Sequence, residues 1–267
     1  MLNAKNENTR LSTGDMDYIR FGSGKKTLII IPGLGDGFAT VKGTALPFAL
    51  GYREAAKDFT VYVFSRRNNL QEGTTTRDMA NDLNEAMDIL SLGSACIAGV
   101  SQGGMIAQWL AIDHPEKVAR LVLVSTLCQP NETSVSVISQ WIEMARKNDY
   151  MSILLDTADR SYSPARLRTS RLSYRMAGVF TKPKSFERFL IQANACLTHD
   201  ASKDLEKIQC PTLIIAGSLD KIVTPEASQE MHERIKTSKL LIYEGLSHAL
   251  YEEAKDFLFQ IINFCRP

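Results

Sequence analysis

The chain has 267 residues, 44% of them hydrophobic and 23% charged, and a formal net charge of +1. That length suits one large α/β domain with room for an insertion, and the near-neutral balance gives no field that would draw nucleic acid or an acidic membrane surface. No apolar run approaches a bilayer span, and Met1–Arg10 lacks the apolar core of a signal peptide, so the expectation is a soluble, cytoplasmic protein.

In chain order, Met16–Phe21 alternates weakly and predicts an early antiparallel strand. Thr27–Ile31 is a continuous apolar run, the pattern of a strand covered on both faces, and Pro32-Gly33-Leu34-Gly35-Asp36-Gly37 ends it abruptly. Thr60–Phe64 reads as the next strand, followed by a polar loop over Ser65–Thr74. Thr76–Leu92 is helical, with Met79, Leu83, Ala86, Met87 and Leu90 on one face. Ala95–Ala98 predicts a buried strand, the following segment a helix carrying Met105, Ile106, Trp109 and Leu110, and Arg120–Ser125 another strand.

The pattern then changes. From Gln129 to Lys207 only amphipathic helical segments appear, with stripes at Val135-Ile138-Trp141-Ile142-Ala145 and Phe186-Phe189-Leu190-Ala193. We read 128–207 as a helical cap inserted into a core made of 1–127 and 208–267. Strands resume at Pro211–Ala216 and Leu240–Tyr243, and a helix over Leu250–Phe264 closes the chain. Strands alternating with helices point to an α/β fold with a mostly parallel sheet.

Five cysteines, Cys96, Cys128, Cys196, Cys210 and Cys265, are widely and irregularly spaced, with no Cys-x-x-Cys. That excludes a zinc site or dithiol pair of the usual spacing and leaves the expectation of small buried hydrophobes that carry sulfur. In the cap, Arg160, Arg166, Arg168, Arg171, Arg175, Lys182, Lys184 and Arg188 read as solvated helix faces, with steering of a carboxylate-bearing substrate as the alternative. Trp141, Met144 and Met176 read as core of the cap, with an acyl pocket as the alternative.

The chemistry centres on Gly99-Val100-Ser101-Gln102-Gly103, a serine between two glycines where a strand becomes a helix. So tight a turn predicts a positive φ at Ser101 and an exposed hydroxyl above a helix N-terminus, the context of a nucleophile elbow. A serine hydroxyl needs a base, and the chain offers four histidines. His114 falls at the wrong end of the sheet, His232 on a solvated helix face and His199 in the cap. His248 follows the last strand, at the edge where catalytic groups gather in open α/β sheets, and is the candidate general base. Asp220, just beyond the preceding strand, is the candidate orienting carboxylate, although aspartate is also common there as a turn or capping residue. Backbone N–H groups of Gln102 and Leu34 are the candidate oxyanion donors.

Together these motifs, with Gly217-Ser218-Leu219-Asp220 and Gly245-Leu246-Ser247-His248, make the chain resemble the α/β-hydrolase superfamily over all but the cap. Gly99–Ala111 is similar to the elbow helix of 3-oxoadipate enol-lactonases and related small esterases. The resemblance implies the α/β-hydrolase fold, a Ser101, Asp220 and His248 triad, and no cofactor or metal. It also implies a small-molecule ester or lactone as the partner, without nucleic acid or membrane, and leaves a homodimer open. Two departures stand out: Pro32-Gly33 replaces the family's usual His-Gly, and Ser65-Arg66-Arg67-Asn68-Asn69 replaces Asp-x-Arg-Gly. The alternatives on the same residues are acyl transfer to another nucleophile, carbon–carbon bond hydrolysis, or a non-catalytic ligand sensor.

Overall fold

The computed structural model describes residues 2–169, 178 and 181–266. Eight strands form one sheet in the order β1-β2-β4-β3-β5-β6-β7-β8. They are β1 (Lys5–Leu11), β2 (Gly14–Phe21), β3 (Lys26–Ile31), β4 (Phe59–Arg67), β5 (Ala95–Val100), β6 (Val118–Val124), β7 (Thr212–Gly217) and β8 (Ser238–Tyr243). β1 and β2 pair antiparallel, β2 joins β4 antiparallel, and every pairing from β4 to β8 is parallel. A parallel interior needs cover on both faces, which is why Leu28, Ile29, Ile30 and Ile31 are all buried without alternation.

The cover comes from helices that alternate with the strands. α1 (Ala45–Gly51), α2 (Ala55–Asp58), α3 (Thr76–Ile89) and α4 (Gln102–Asp113) lie in the first half. α5 (Glu132–Arg146), α6 (Tyr150–Ser161) and α7 (Glu187–Leu197) fall between β6 and β7, and α8 (Pro225–Arg234), α9 (Leu250–Glu253) and α10 (Phe257–Cys265) follow. The expected stripe of α3 is the buried one: Met79, Leu83, Ala86 and Met87 join Ile106 and Leu110 of α4 on one face of the sheet. Phe257, Ile261 and Ile262 of α10 pack with Phe21, Leu28 and Val61 on the other. A third cluster joins α5, α6 and α7 to Met105, Leu127 and Ile222 above the strand ends. No helix of the described residues is long and apolar enough to cross a membrane.

Four expectations need correction. β1 carries no apolar alternation, since all its side chains but Leu11 are polar; it forms through the backbone ladder from Lys5↔Arg20 to Leu11↔Gly14. β4 continues through Ser65, Arg66 and Arg67, which were expected to be loop, and all three are buried. The closing helix is two segments, Leu250–Glu253 and Phe257–Cys265, and Asp256, between them, turns its carboxylate to the Tyr243 hydroxyl at 3.0 Å rather than to the helix N-terminus. Cys96 and Cys265 are not merely buried apolar residues: they form a disulfide between β5 and α10, with Cα atoms 5.8 Å apart, within the span such a bond requires. Arg171, Arg175 and Met176 lie outside the described residues.

Candidate active site

Ser101 adopts φ 53 and ψ −119 between β5 and α4, a conformation that a non-glycine residue holds only when its surroundings enforce it. The enforcement is visible: a Cβ at Gly103 would stand 2.0 Å from the Ile31 carbonyl oxygen, so the helix passes β3 closely only because that residue is glycine. The Ser101 carbonyl accepts from Thr126 Oγ1 at 2.8 Å, and the Ser101 N–H donates to the Val124 carbonyl at 2.9 Å. Thr126 was not anticipated. Its position directly after a strand that neighbours β5 was the only signal.

Asp220 follows β7 and His248 follows β8, so adjacent parallel strands deliver both to one edge. His248 Nδ1 lies 2.8 Å from Asp220 Oδ2, and both residues are buried. Burial pushes the Asp220 carboxyl up, but the attraction of His248, its hydrogen bond, and backbone N–H donors from Ile222 and Val223 outweigh this and hold it below the usual carboxylate range. An ionised Asp220 only accepts, so Nδ1 carries the proton and Nε2 is left as the basic nitrogen. The loop bearing His248 is stitched down: Ser125 Oγ donates to the His248 carbonyl at 2.8 Å, and Ser247 Oγ donates to Leu219 O at 2.9 Å and Arg160 O at 2.6 Å.

The loop after β3 covers the elbow. A Cβ on Gly33 would meet Ser101 Cβ at 3.3 Å, so the backbone leading into Leu34 sits against the serine. Leu34, Ser101 and His248 line one cavity of about 300 Å³. No hydrogen bond joins Ser101 Oγ to His248 in this structure; the imidazole–carboxylate link is formed and the hydroxyl shares the cavity with the ring. Unliganded sites often tighten this contact only with substrate bound. A larger cavity of about 970 Å³ opens between 72–75 and the facing residues of α5 and α7. None of Ser101, Asp220 and His248 is among its described lining residues.

The largest surprise is beneath that loop. Arg188 of α7 reaches the loop after β3 and the end of β4, donating to Asp36 Oδ2 at 2.5 Å, to Asp36 O at 3.1 Å, to Arg66 O at 2.9 Å, and to Arg67 O. Gln192 donates to the same Asp36 oxygen at 3.2 Å, as does the Arg66 N–H at 3.1 Å. Arg66 in turn donates to Pro32 O and, at 3.0 Å, to the Gln102 side chain. The Gln102 amide closes the network by donating to Gln192 O at 2.8 Å and Cys196 Sγ at 3.2 Å. Both candidate oxyanion donors, Leu34 N–H and Gln102 N–H, thus belong to segments braced by α7. Burial pulls Arg66 down to about 10, against the pull of Asp36, which leaves it protonated at neutral pH. Arg188 is therefore neither a solvated face nor a free hand for substrate. The signal missed in the sequence was the spacing Arg188, Gln192, Cys196, which sets three polar-capable side chains along one helix face.

The remaining residues sort clearly. Trp141 is both core and cavity wall, its indole N–H donating to Asp156 at 2.7 Å, and Met144 packs behind it. Arg160 is paired with the same Asp156 oxygen at 2.8 Å. Cys196 borders the cavity, but burial pushes its thiol up to about 12, so at neutral pH it stays protonated and is no rival nucleophile. His114 bonds Asn81, His232 bonds Ser238, and His199 is buried against Thr76. No group of three or more potential metal ligands occurs among the described residues.

The sequence model of the family described as "Serine aminopeptidase, S33" matches residues 69–255. The 3-oxoadipate enol-lactonase 2 of Acinetobacter baylyi is 26% identical over 187 residues, 67% of this chain and 66% of that protein. The crystal structure of MGS-M2, an α/β-hydrolase enzyme from a Medee basin deep-sea metagenome library, superposes with a TM-score of 0.85 at 21% identity, covering 97% of this chain and 96% of that one. The enol-lactonase of Burkholderia xenovorans LB400 gives a TM-score of 0.81 at 18% identity over 97% and 99% of the two chains.

Proposed function

The chain belongs to the α/β-hydrolase family, and from that premise we propose that it hydrolyses a small carboxylic ester or lactone through an acyl-enzyme on Ser101. The observation that carries this reading is the His248–Asp220 pair opening onto the cavity that holds Ser101. Relatives named as enol-lactonases support the substrate class. We place the catalytic groups on a core of 1–127 and 208–267, with 128–207 as a cap over them.

In this mechanism Ser101 Oγ attacks the carbonyl carbon while His248 Nε2 takes its proton. The oxyanion of the tetrahedral intermediate accepts from Leu34 N–H and Gln102 N–H, each worth about 2.7–4 kcal/mol of barrier in comparable sites. Collapse breaks the carbonyl–oxygen bond of the ester, and the imidazolium gives its proton to the leaving alkoxide. Water then attacks the acyl-enzyme, passing its proton to His248. Ser101 takes that proton back as the acid leaves.

Purified protein should turn over short p-nitrophenyl esters, and Ser101→Ala should abolish that turnover while leaving the unfolding transition in place. A variant with full rate would overturn the assignment.

A further inference from the structure

Building on the reading above, we infer that the acyl group this site takes is uncharged and apolar, so that a substrate carrying a second, ionised carboxylate is selected against. The wall of the cavity is aromatic and aliphatic: Phe38, Trp141 and Phe189 with Met105, Ile138 and Ile153. Phe38 and Phe189 stack with centroids 4.3 Å apart, which fixes one side. Its volume, about 300 Å³, is at the small end of ligand pockets.

What decides the charge preference is where the nearby cations go. Among the described residues no lysine or arginine lines this cavity. Arg188 and Arg66, whose guanidinium groups reach the loop after β3, are absent from the lining and are bound to Asp36 and to backbone carbonyls. Arg160 is paired with Asp156. Asp36 borders the cavity as well, but its carboxylate is wholly covered and paired with Arg188, and Asp220 is engaged by His248, so neither brings a free cation to this space. An acyl-chain carboxylate entering this space would lose its hydration and meet no free counter-ion among the described residues. An alkyl chain of equal length gains apolar contact along its whole length.

The test compares three substrates with the same leaving group: p-nitrophenyl hexanoate, the mono-p-nitrophenyl ester of adipic acid, and its methyl p-nitrophenyl diester. At pH 7.5 the second carries a terminal carboxylate, whereas the third restores neutrality at greater length. The expected order in kcat/KM is hexanoate first, the diester within tenfold of it, and the charged half-ester at least 100-fold below. A half-ester rate equal to or above that of hexanoate overturns the inference. If hexanoate is hydrolysed but the diester is as slow as the half-ester, size rather than charge governs and the inference is also overturned. Labelling of Ser101 by a fluorophosphonate, run alongside, separates the two levels. Adduct formation with a preference for the half-ester sinks only the charge preference, whereas no adduct and no turnover of any ester sinks the proposed function and the inference with it.

Discussion

Two buried carboxylates stand by the nucleophile, and each answers to a partner of a different kind. Asp220 holds His248 through one contact at 2.8 Å and leaves the far side of the ring for chemistry. Asp36 holds Arg188, Gln192 and the Arg66 backbone, which ties the loop after β3 and the end of β4 to α7. A histidine changes charge near neutral pH and suits a site where a proton must move. An arginine does not, and its planar fork fixes geometry instead. One pair is built to cycle, the other to stay locked while the first one works.

The two are separable by substitution. Asp220→Asn keeps the shape but loses control of the imidazole tautomer, and kcat should fall about 10⁴-fold with little change in unfolding midpoint; steady-state kinetics beside a denaturant titration checks both halves. Asp36→Asn should show the reverse emphasis. It strands partly buried Arg188 and buried Arg66 without their counter-charge, a defect of about 3–5 kcal/mol in stability, with a smaller, roughly tenfold to hundredfold drop in kcat as the loop after β3 shifts. Adding Arg188→Met should restore part of that stability, and a double-mutant cycle with strictly additive terms would show that the two do not act as a pair.

A third buried site sharpens the contrast, because His199 has no carboxylate partner of this kind. Burial pulls its pKa from 6.5 down to about 4, and its ring bonds Thr76 Oγ1 at 2.8 Å. The unfolded chain takes up a proton near pH 6.5, whereas the folded one does not until about pH 4. Stability is therefore complete above that window and declines as pH falls through it, by roughly 3 kcal/mol. Unfolding midpoints between pH 7.5 and pH 4.5 measure the slope, which His199→Gln should flatten. The smallest effect on activity belongs to the Cys96–Cys265 bond, neither cysteine of which lines the cavity. Thiol titration of the unreduced, denatured chain should count Cys128, Cys196 and Cys210 only, and Cys265→Ser should leave kcat unchanged.

The same contrast explains what the sequence revealed. The elbow was legible because its causes are local: two glycines, a serine, and the switch from strand to helix within ten residues. Asp220 and His248 were legible because each stands at a strand end, where topology assigns its position. The Asp36–Arg188 pair was not, since its members are 152 residues apart and an arginine in a polar helical stretch looks solvated until its partners are known. β4 was cut short for the same reason. Arg66 and Arg67 resemble a loop, and Arg66 is buried only because Pro32 and Gln102 accept its hydrogen bonds. The disulfide, spanning 169 residues, left no local mark at all.

The most direct measurement is peptide mass spectrometry after exposing the native protein to a fluorophosphonate. One adduct per chain, on the peptide carrying Ser101 and lost in His248→Ala, is the predicted result. An unmodified Ser101 peptide, or one modified equally well without the imidazole, would contradict the account.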